Sequence, residues 1–211
     1  MVAPDSHEPR SRAPITLRKV VVTEGYDLFK FIKALVSELG LLETLEIRNA
    51  GGVNEIGPYL RAIPKLEGFT HVSALGVIRD AEANAAAAFA SVSDALAAAG
   101  FVKPQKAGVI ESGAPNVAVF LLPDGARPGM LETLCLDSVS GDAALACVDE
   151  FFRCLDDRGL DGPQQFEKAK VQVFLASRPE PCPHIGLGAQ KGYWSWSSPV
   201  FDPLKGFLQS L

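Results

Sequence analysis

The chain has no surplus of positive charge: 20 Lys and Arg stand against 25 Asp and Glu, for a formal net charge of -5 and a pI near 5.3. That balance argues against a broad, sequence-independent nucleic-acid footprint, which needs a basic face, but leaves open a contact bridged by a bound cation. Cysteine is limited to Cys135, Cys147, Cys154 and Cys182, with no CxxC spacing. No secretory pattern precedes them, so reduced thiols in a cytoplasm are expected. Cys147 and Cys154, seven apart on one predicted helix, read as core. Cys182-Pro183-His184 lacks the second ligand pair that a structural metal site requires. No apolar run reaches membrane-spanning length, so no membrane association is expected. Residues 1–16 carry Pro4, Pro9 and Pro14 among charges without an apolar signal core, and read as a mobile N-terminal tail. No internal repeat is present. What the chain has in plenty is apolar residues, 47% of the total, enough for a full core without disulfide or metal.

Strand and helix patterns alternate through the first half. Leu17 to Thr23 is β-branched and continuously apolar, as in a strand covered on both faces. Leu28, Phe31, Ile32, Leu35 and Leu39 form a helical stripe ended by Gly40. Thr44 to Asn49 alternates as a second strand with Leu45 and Ile47 on one face. Gly51-Gly52 breaks the chain before a short helix around Asn54 to Ala62. Val72 to Ile78 reads as a central strand, and Asn84 to Ala99 as a helix with Phe89, Val92, Leu96 and Ala99 inward. This order predicts an α/β fold with a mainly parallel, Rossmann-like sheet flanked by helices. Val109-Ile110 and Val117 to Leu122 suggest a hairpin at the sheet edge. Beyond Pro123-Asp124-Gly125 the pattern is helical: Met130 to Leu136, a helix capped by Asp142 and closed by Gly159, one from Pro163 to about Ser177, and one from Asp202. The expected organisation is an α/β core over 17–125 and a helical portion over 126–211 packed on it.

Two acidic motifs stand out. Val20-Val21-Val22-Thr23 runs into Glu24-Gly25-Tyr26-Asp27, and the strand ending at Ile78 runs into Asp80-Ala81-Glu82. In open α/β sheets ligands gather outside the carboxyl ends of strands. If these strands are neighbours, Glu24, Asp80 and Glu82 converge, and like charges at that range require a shared proton or cation. Magnesium, a hard ion preferring oxygen ligands, answers that need. Each carboxylate has a plainer reading as a helix cap or as a partner for Arg79, Arg48 or Lys19. Asp27 serves equally as a further ligand or as the cap of the helix beginning at Leu28.

Together these motifs resemble the TOPRIM domain shared by type IA and type II topoisomerases, bacterial primases, OLD-family nucleases and small recombination proteins. The likeness covers Leu17 to Leu122. A narrower similarity is to small stand-alone TOPRIM-related proteins, distantly similar to OLD-family nucleases. It rests on Gly51-Gly52, on Leu121-Leu122-Pro123-Asp124 with Gly129-Met130-Leu131-Glu132, and on Lys191-Gly192-Tyr193-Trp194 with Phe201-Asp202-Pro203-Leu204. The resemblance implies that Glu24 acts as general acid/base or metal ligand and that Asp80 and Glu82 bind Mg2+, with Mn2+ as a substitute. Glu82 stands where the usual pattern has Asp, which shifts that carboxylate by one methylene. The resemblance further implies Glu132 as a second-metal ligand and a catalytic lysine, for which Lys191 and Lys170 are the options. Gly51-Gly52 reads as a phosphate-approach turn or a tight connection. Trp194 and Trp196 read as base-stacking residues or as locks for a C-terminal loop.

Two functions fit these readings. One is a divalent-metal-dependent phosphoryl-transfer protein, a nuclease acting on nucleic-acid phosphodiesters, with Glu24 positioning the nucleophile. The other is a non-catalytic metal-binding or regulatory module that works with a protein partner. The apolar C-terminal region also offers a surface for a homodimer.

Overall fold

The computed structural model describes residues 12–211. Four strands form a single parallel sheet in the order β2-β1-β3-β4. They are β1 (Lys19–Thr23), β2 (Leu45–Asn49), β3 (Ala74–Asp80) and β4 (Asn116–Leu122). Between them run α1 (Tyr26–Glu38), α2 (Ile56–Ala62) and α3 (Ala85–Ala98). The alternation of strand side chains explains the layers. Val21, Ile78, Ala118 and Phe120 meet α1 on one face, while Val20, Val22, Leu75, Val77 and Val119 meet α2 and α3 on the other. Val20, Val21 and Val22 are wholly buried, so an uninterrupted apolar run is what a doubly covered parallel strand requires. The fold is α/β and Rossmann-like.

Five further helices follow: α4 (Leu131–Ser138), α5 (Ala143–Asp156), α6 (Phe166–Ala176), α7 (Ile185–Gln190) and α8 (Asp202–Ser210). All five contribute to the apolar cluster that also holds α1 and one sheet face. The C-terminal helices therefore share a core with the sheet. Gly76 explains how α8 lies so close to β3, because a Cβ there would come within 2.8 Å of Leu211 Cδ1 and 3.4 Å of Phe207 Cζ.

Several details depart from the sequence patterns. The hairpin expected before β4 reduces to one antiparallel bridge between Glu111 and Val117, with Val109 exposed. β4 instead pairs in parallel with β3 along its whole length. The helix expected from Pro163 begins at Phe166. α7 lies in a stretch whose Gly and Pro residues read as a loop. Cys147 and Cys154 are exposed, not core, because α5 buries Leu145 and Val148 and packs Phe152 inward from the opposite side. All four cysteines are free thiols. Of the expected tail, residues 1–11 lie outside the described residues. Ile15 is buried and its N–H donates to the Glu67 carbonyl at 2.7 Å. Arg48, itself buried on β2, donates to the carbonyls of Ala13 and Pro14 and pairs with Glu46. No described helix is long and apolar enough to cross a membrane.

Candidate metal centre at the carboxyl ends of β1 and β3

The chain leaves β1 toward β2 on one side, while β3 and β4 lie on the other, so the strand order reverses between β1 and β3. In open parallel sheets that reversal opens a crevice beyond the strand ends. The register pairs Thr23 with Ile78, which places Glu24 level with Arg79 and one step from Asp80. Glu24, Asp80 and Glu82 each offer a carboxylate oxygen such that all three lie within 4.8 Å of one another. The sequence expectation of convergence depended on β1 and β3 being neighbours, and they are.

Each member of the trio is fixed by backbone structure. Glu24 follows β1 directly; its Oε2 sits 3.4 Å from Arg79 Nε, is buried, and receives no hydrogen bond. Arg79 Nε donates to the Asp80 carbonyl at 3.1 Å. Asp80 Oδ1 accepts the Leu131 N–H at 2.9 Å, so one of the open donors at the start of α4 is aimed at it. Glu82 adopts φ +53, a left-handed conformation that costs a non-glycine residue roughly 1–3 kcal/mol. A two-bond antiparallel bridge holds it there: Glu82 N–H to the Gly129 carbonyl and Gly129 N–H to the Glu82 carbonyl, each 2.8 Å. Gly129 has φ +141, and a Cβ on it would meet Pro123 Cδ at 2.9 Å and Thr133 Oγ1 at 3.0 Å. The turn that swings Glu82 back toward Asp80 thus requires glycine opposite it.

The electrostatics are those of crowded acids with too little counter-charge. Burial, then the charges of Glu24 and Glu132, push the Asp80 carboxyl up to about 8 against the pull of the Leu131 N–H. Burial also raises Glu24, with Arg79 opposing and Glu82 adding to the rise. Asp27 and Glu132 are raised for the same leading reason. Cys135, fully buried beside these acids, is held well above the ordinary thiol range.

The remaining expected site residues are placed differently. Asp27 does not cap α1, because that helix begins at Tyr26 with Gly25 before it and no side-chain cap. Asp27 sits in the first turn with Oδ1 buried and unbonded, outside the trio. Glu132 lies in the first turn of α4, close enough for its charge to raise Asp80 but not a member of the trio. Lys191 pairs with Glu180, and Lys170 with Asp149. The lysine whose charge reaches Glu24, Asp27 and Glu132 is Lys168, which sequence reasoning passed over. Its helix is tied to α4 through Thr133 Oγ1, which donates to Glu167 Oε2 at 2.5 Å. That link is tertiary and leaves no spacing signal.

Trp194 is buried, donates from Nε1 to the Ile185 carbonyl at 3.0 Å and stacks on Phe174, while Trp196 packs on Phe31 and Phe201. Both tryptophans therefore lock the C-terminal loop to the core. Cys182 and His184 meet only through the Cys182 Sγ contact with the His184 carbonyl at 3.9 Å.

The donor set suits a hard divalent cation: three carboxylates, an orphaned buried oxygen on Glu24 and an acid at Asp80 that ionises poorly without a positive neighbour. The molecule is thus an α/β protein with an acidic cluster at its topological switch point. Residues 18–211 match the family described as "Protein of unknown function (DUF3226)", and the chain belongs to that family. Neither the curated proteins nor the solved structures contain a match to it.

Proposed function

We propose that the protein is a TOPRIM-like, divalent-metal-dependent phosphoryl-transfer protein, a nuclease-type hydrolase acting on nucleic-acid phosphodiesters. The observation that carries this reading is the convergence of Glu24, Asp80 and Glu82 within 4.8 Å at the switch point of a parallel sheet. Glu24, Asp80 and Glu82 would hold Mg2+, or Mn2+ in its place. A bound ion there supplies charge neutralisation for a transferring phosphoryl group. Asp80 is oriented by the Leu131 N–H, which fixes one oxygen and turns the carboxyl toward the crevice. Glu24, raised by burial and steadied by Arg79, is suited to take a proton from an attacking hydroxyl or water at its exposed edge. Lys168 replaces Lys191 as the lysine nearest to the chemistry, on the ground that its charge reaches three of the acids. Four free thiols support a reducing, cytoplasmic setting.

A second reading, a non-catalytic metal-binding or partner module, draws on the ion pair between Glu24 and Arg79, which occupies the proposed base. The exposed Phe151, Leu160 and Phe166 would give such a module a surface for a protein partner or a second copy.

Thermal unfolding with Mg2+ or Mn2+ tests the metal. The midpoint should rise with ion concentration, by about 2.7 kcal/mol of stability at one hundred times the dissociation constant, and Asp80→Asn should abolish the rise. Nicking of plasmid, single-stranded DNA and RNA then tests catalysis. If wild type and Glu24→Gln cut alike, or neither cuts any substrate, the hydrolase reading fails.

A further inference from the structure

The apolar stripe of α5 runs on past its cover. Leu145 and Val148 are buried, but Phe152 and Leu155, one and two turns beyond Val148, are only partly enclosed. Residues 157–165 are all exposed and lead to α6, which begins at Phe166. Phe151, Leu160 and Phe166 are 47%, 54% and 48% exposed, and among the described residues no other phenylalanine is so open. Phe152 joins two of them, its ring 5.2 Å from that of Phe151 and 4.9 Å from that of Phe166, edge to face in both cases. Two adjoining cavities, of about 380 and about 580 Å³, open beside these rings and share Phe152, Gly162 and Pro163 as a common wall. Leu155 and Leu160 also border the first, Ala169 and Val173 the second. The result is an extended apolar trough formed by α5, α6 and the segment joining them, with no member of the acidic trio in it.

The edge of the trough is acidic. Asp149, Glu150, Asp156, Asp157 and Asp161 stand there against Arg153 and Arg158. Those cations are already engaged: Arg153 lies 3.8 Å from Glu150, and Arg158 Nη1 donates to the Cys154 carbonyl at 3.0 Å. Lys170 of α6 pairs with Asp149. The side chains of Asp156, Asp157 and Asp161 make no hydrogen bond or ion pair among the described residues, and Asp156 and Asp161 border the cavities themselves. An apolar patch edged by polar groups marks a contact surface, and a trough between helices takes an amphipathic segment laid along it. A second copy is the poorer occupant. In a two-fold contact the trough would meet itself and set these three carboxylates against their own equivalents. We infer that the trough docks a basic, amphipathic segment of a partner protein. Its apolar side chains would cover Phe151, Phe152, Leu160 and Phe166, and its lysines or arginines would pair with Asp156, Asp157 and Asp161. This docking does not depend on the metal centre, whose residues lie outside the trough.

The test uses the full chain and two labelled amphipathic helical peptides, one of leucine and lysine and one of leucine and glutamate, read by fluorescence anisotropy. The lysine peptide should bind and the glutamate peptide should not. Phe166→Ser and Leu160→Ser remove exposed apolar contacts without opening the core, and each should weaken the lysine peptide about tenfold. Asp156→Asn combined with Asp161→Asn should weaken it about threefold and flatten its salt dependence. Leu42→Ser and Glu43→Gln, exposed positions outside the trough, should leave affinity unchanged. Sedimentation should be the same for wild type and Phe166→Ser. A wild-type dimer that Phe166→Ser dissolves would assign the trough to a second copy and overturn the proposal. Failure of the lysine peptide to bind, equal binding of both peptides, or wild-type affinity in Phe166→Ser and Leu160→Ser would overturn it too.

Discussion

Replacing Asp80 by asparagine should raise stability in metal-free buffer at alkaline pH and leave it nearly unchanged in acid. The folded protein holds the Asp80 proton up to about pH 8, whereas an unperturbed aspartate releases it near 3.8. Because the folded state binds this proton more tightly, its stabilising effect is complete below 3.8 and is lost as pH rises through about 8. A gap of about four pH units sets an upper bound of about 6 kcal/mol, and Asp80, partly exposed and sharing its proton affinity with Glu24 and Glu132, should lose only a fraction of that. Glu24 and Glu132 are raised in the same direction and share the repulsion, so their response adds to the slope. Asparagine keeps an oxygen for the Leu131 N–H but never ionises, so its curve should lack the Asp80 part of the decline. Urea unfolding of both proteins in EDTA, at intervals from pH 4 to 9, reads this directly as a widening gap between midpoints. Parallel curves, or a wild type that gains on Asp80→Asn above pH 5, would mean that Asp80 is not the buried, undercompensated acid described above.

Gly129→Ala should lower stability by about 2–3 kcal/mol through its φ of +141 and the contacts with Pro123 and Thr133, and should abolish the magnesium response by releasing Glu82. Metal-dependent thermal shifts separate that variant from a merely weakened fold. Gly186→Ala should cost about 1–3 kcal/mol, measured by urea unfolding, because its Cβ would lie 2.3 Å from Lys30 Cβ where α7 crosses α1. Trp194→Phe should keep the stack on Phe174 yet lose about 1–2 kcal/mol, since the Ile185 carbonyl is left without its donor.

The parallel sheet was legible because burial on both faces writes itself as runs such as Val20-Val21-Val22, and because each such run is followed by a 3.6-residue stripe. Two kinds of feature were not. A stripe of spacing seven does not say which side of a helix is covered: on α5 both Cys147/Cys154 and Leu145/Val148/Phe152/Leu155 qualify, and only contact with the α6 side decides between them. Glycine is equally ambiguous. Gly186 and Gly188 read as loop residues, yet they lie within α7, where the missing side chains admit Lys30, Leu175 and Trp194.

The trio shows the same division between local and tertiary information. Glu24 and Asp80 were readable because a strand end fixes a direction, and two adjacent strand ends fix a meeting place. Glu82 was nominated from its spacing and from the motif resemblance, although two residues past a strand end an ordinary extended backbone would carry its carboxylate away. What returns it is a left-handed residue locked by Gly129, forty-seven positions along the chain, together with the steric demand of Pro123 and Thr133 around that glycine. Strain of this kind persists only when its surroundings over-determine it, and here two hydrogen bonds and a glycine do so. The same segment delivers the Leu131 N–H to Asp80 and Thr133 to Glu167, which joins the α6 turn bearing Lys168. The segment from Pro123 to Thr133 therefore sets two of the three carboxylates and anchors the helix that bears the nearby lysine. A lesion in that loop, remote from the acids in sequence, should disable the centre as thoroughly as removal of an acid itself.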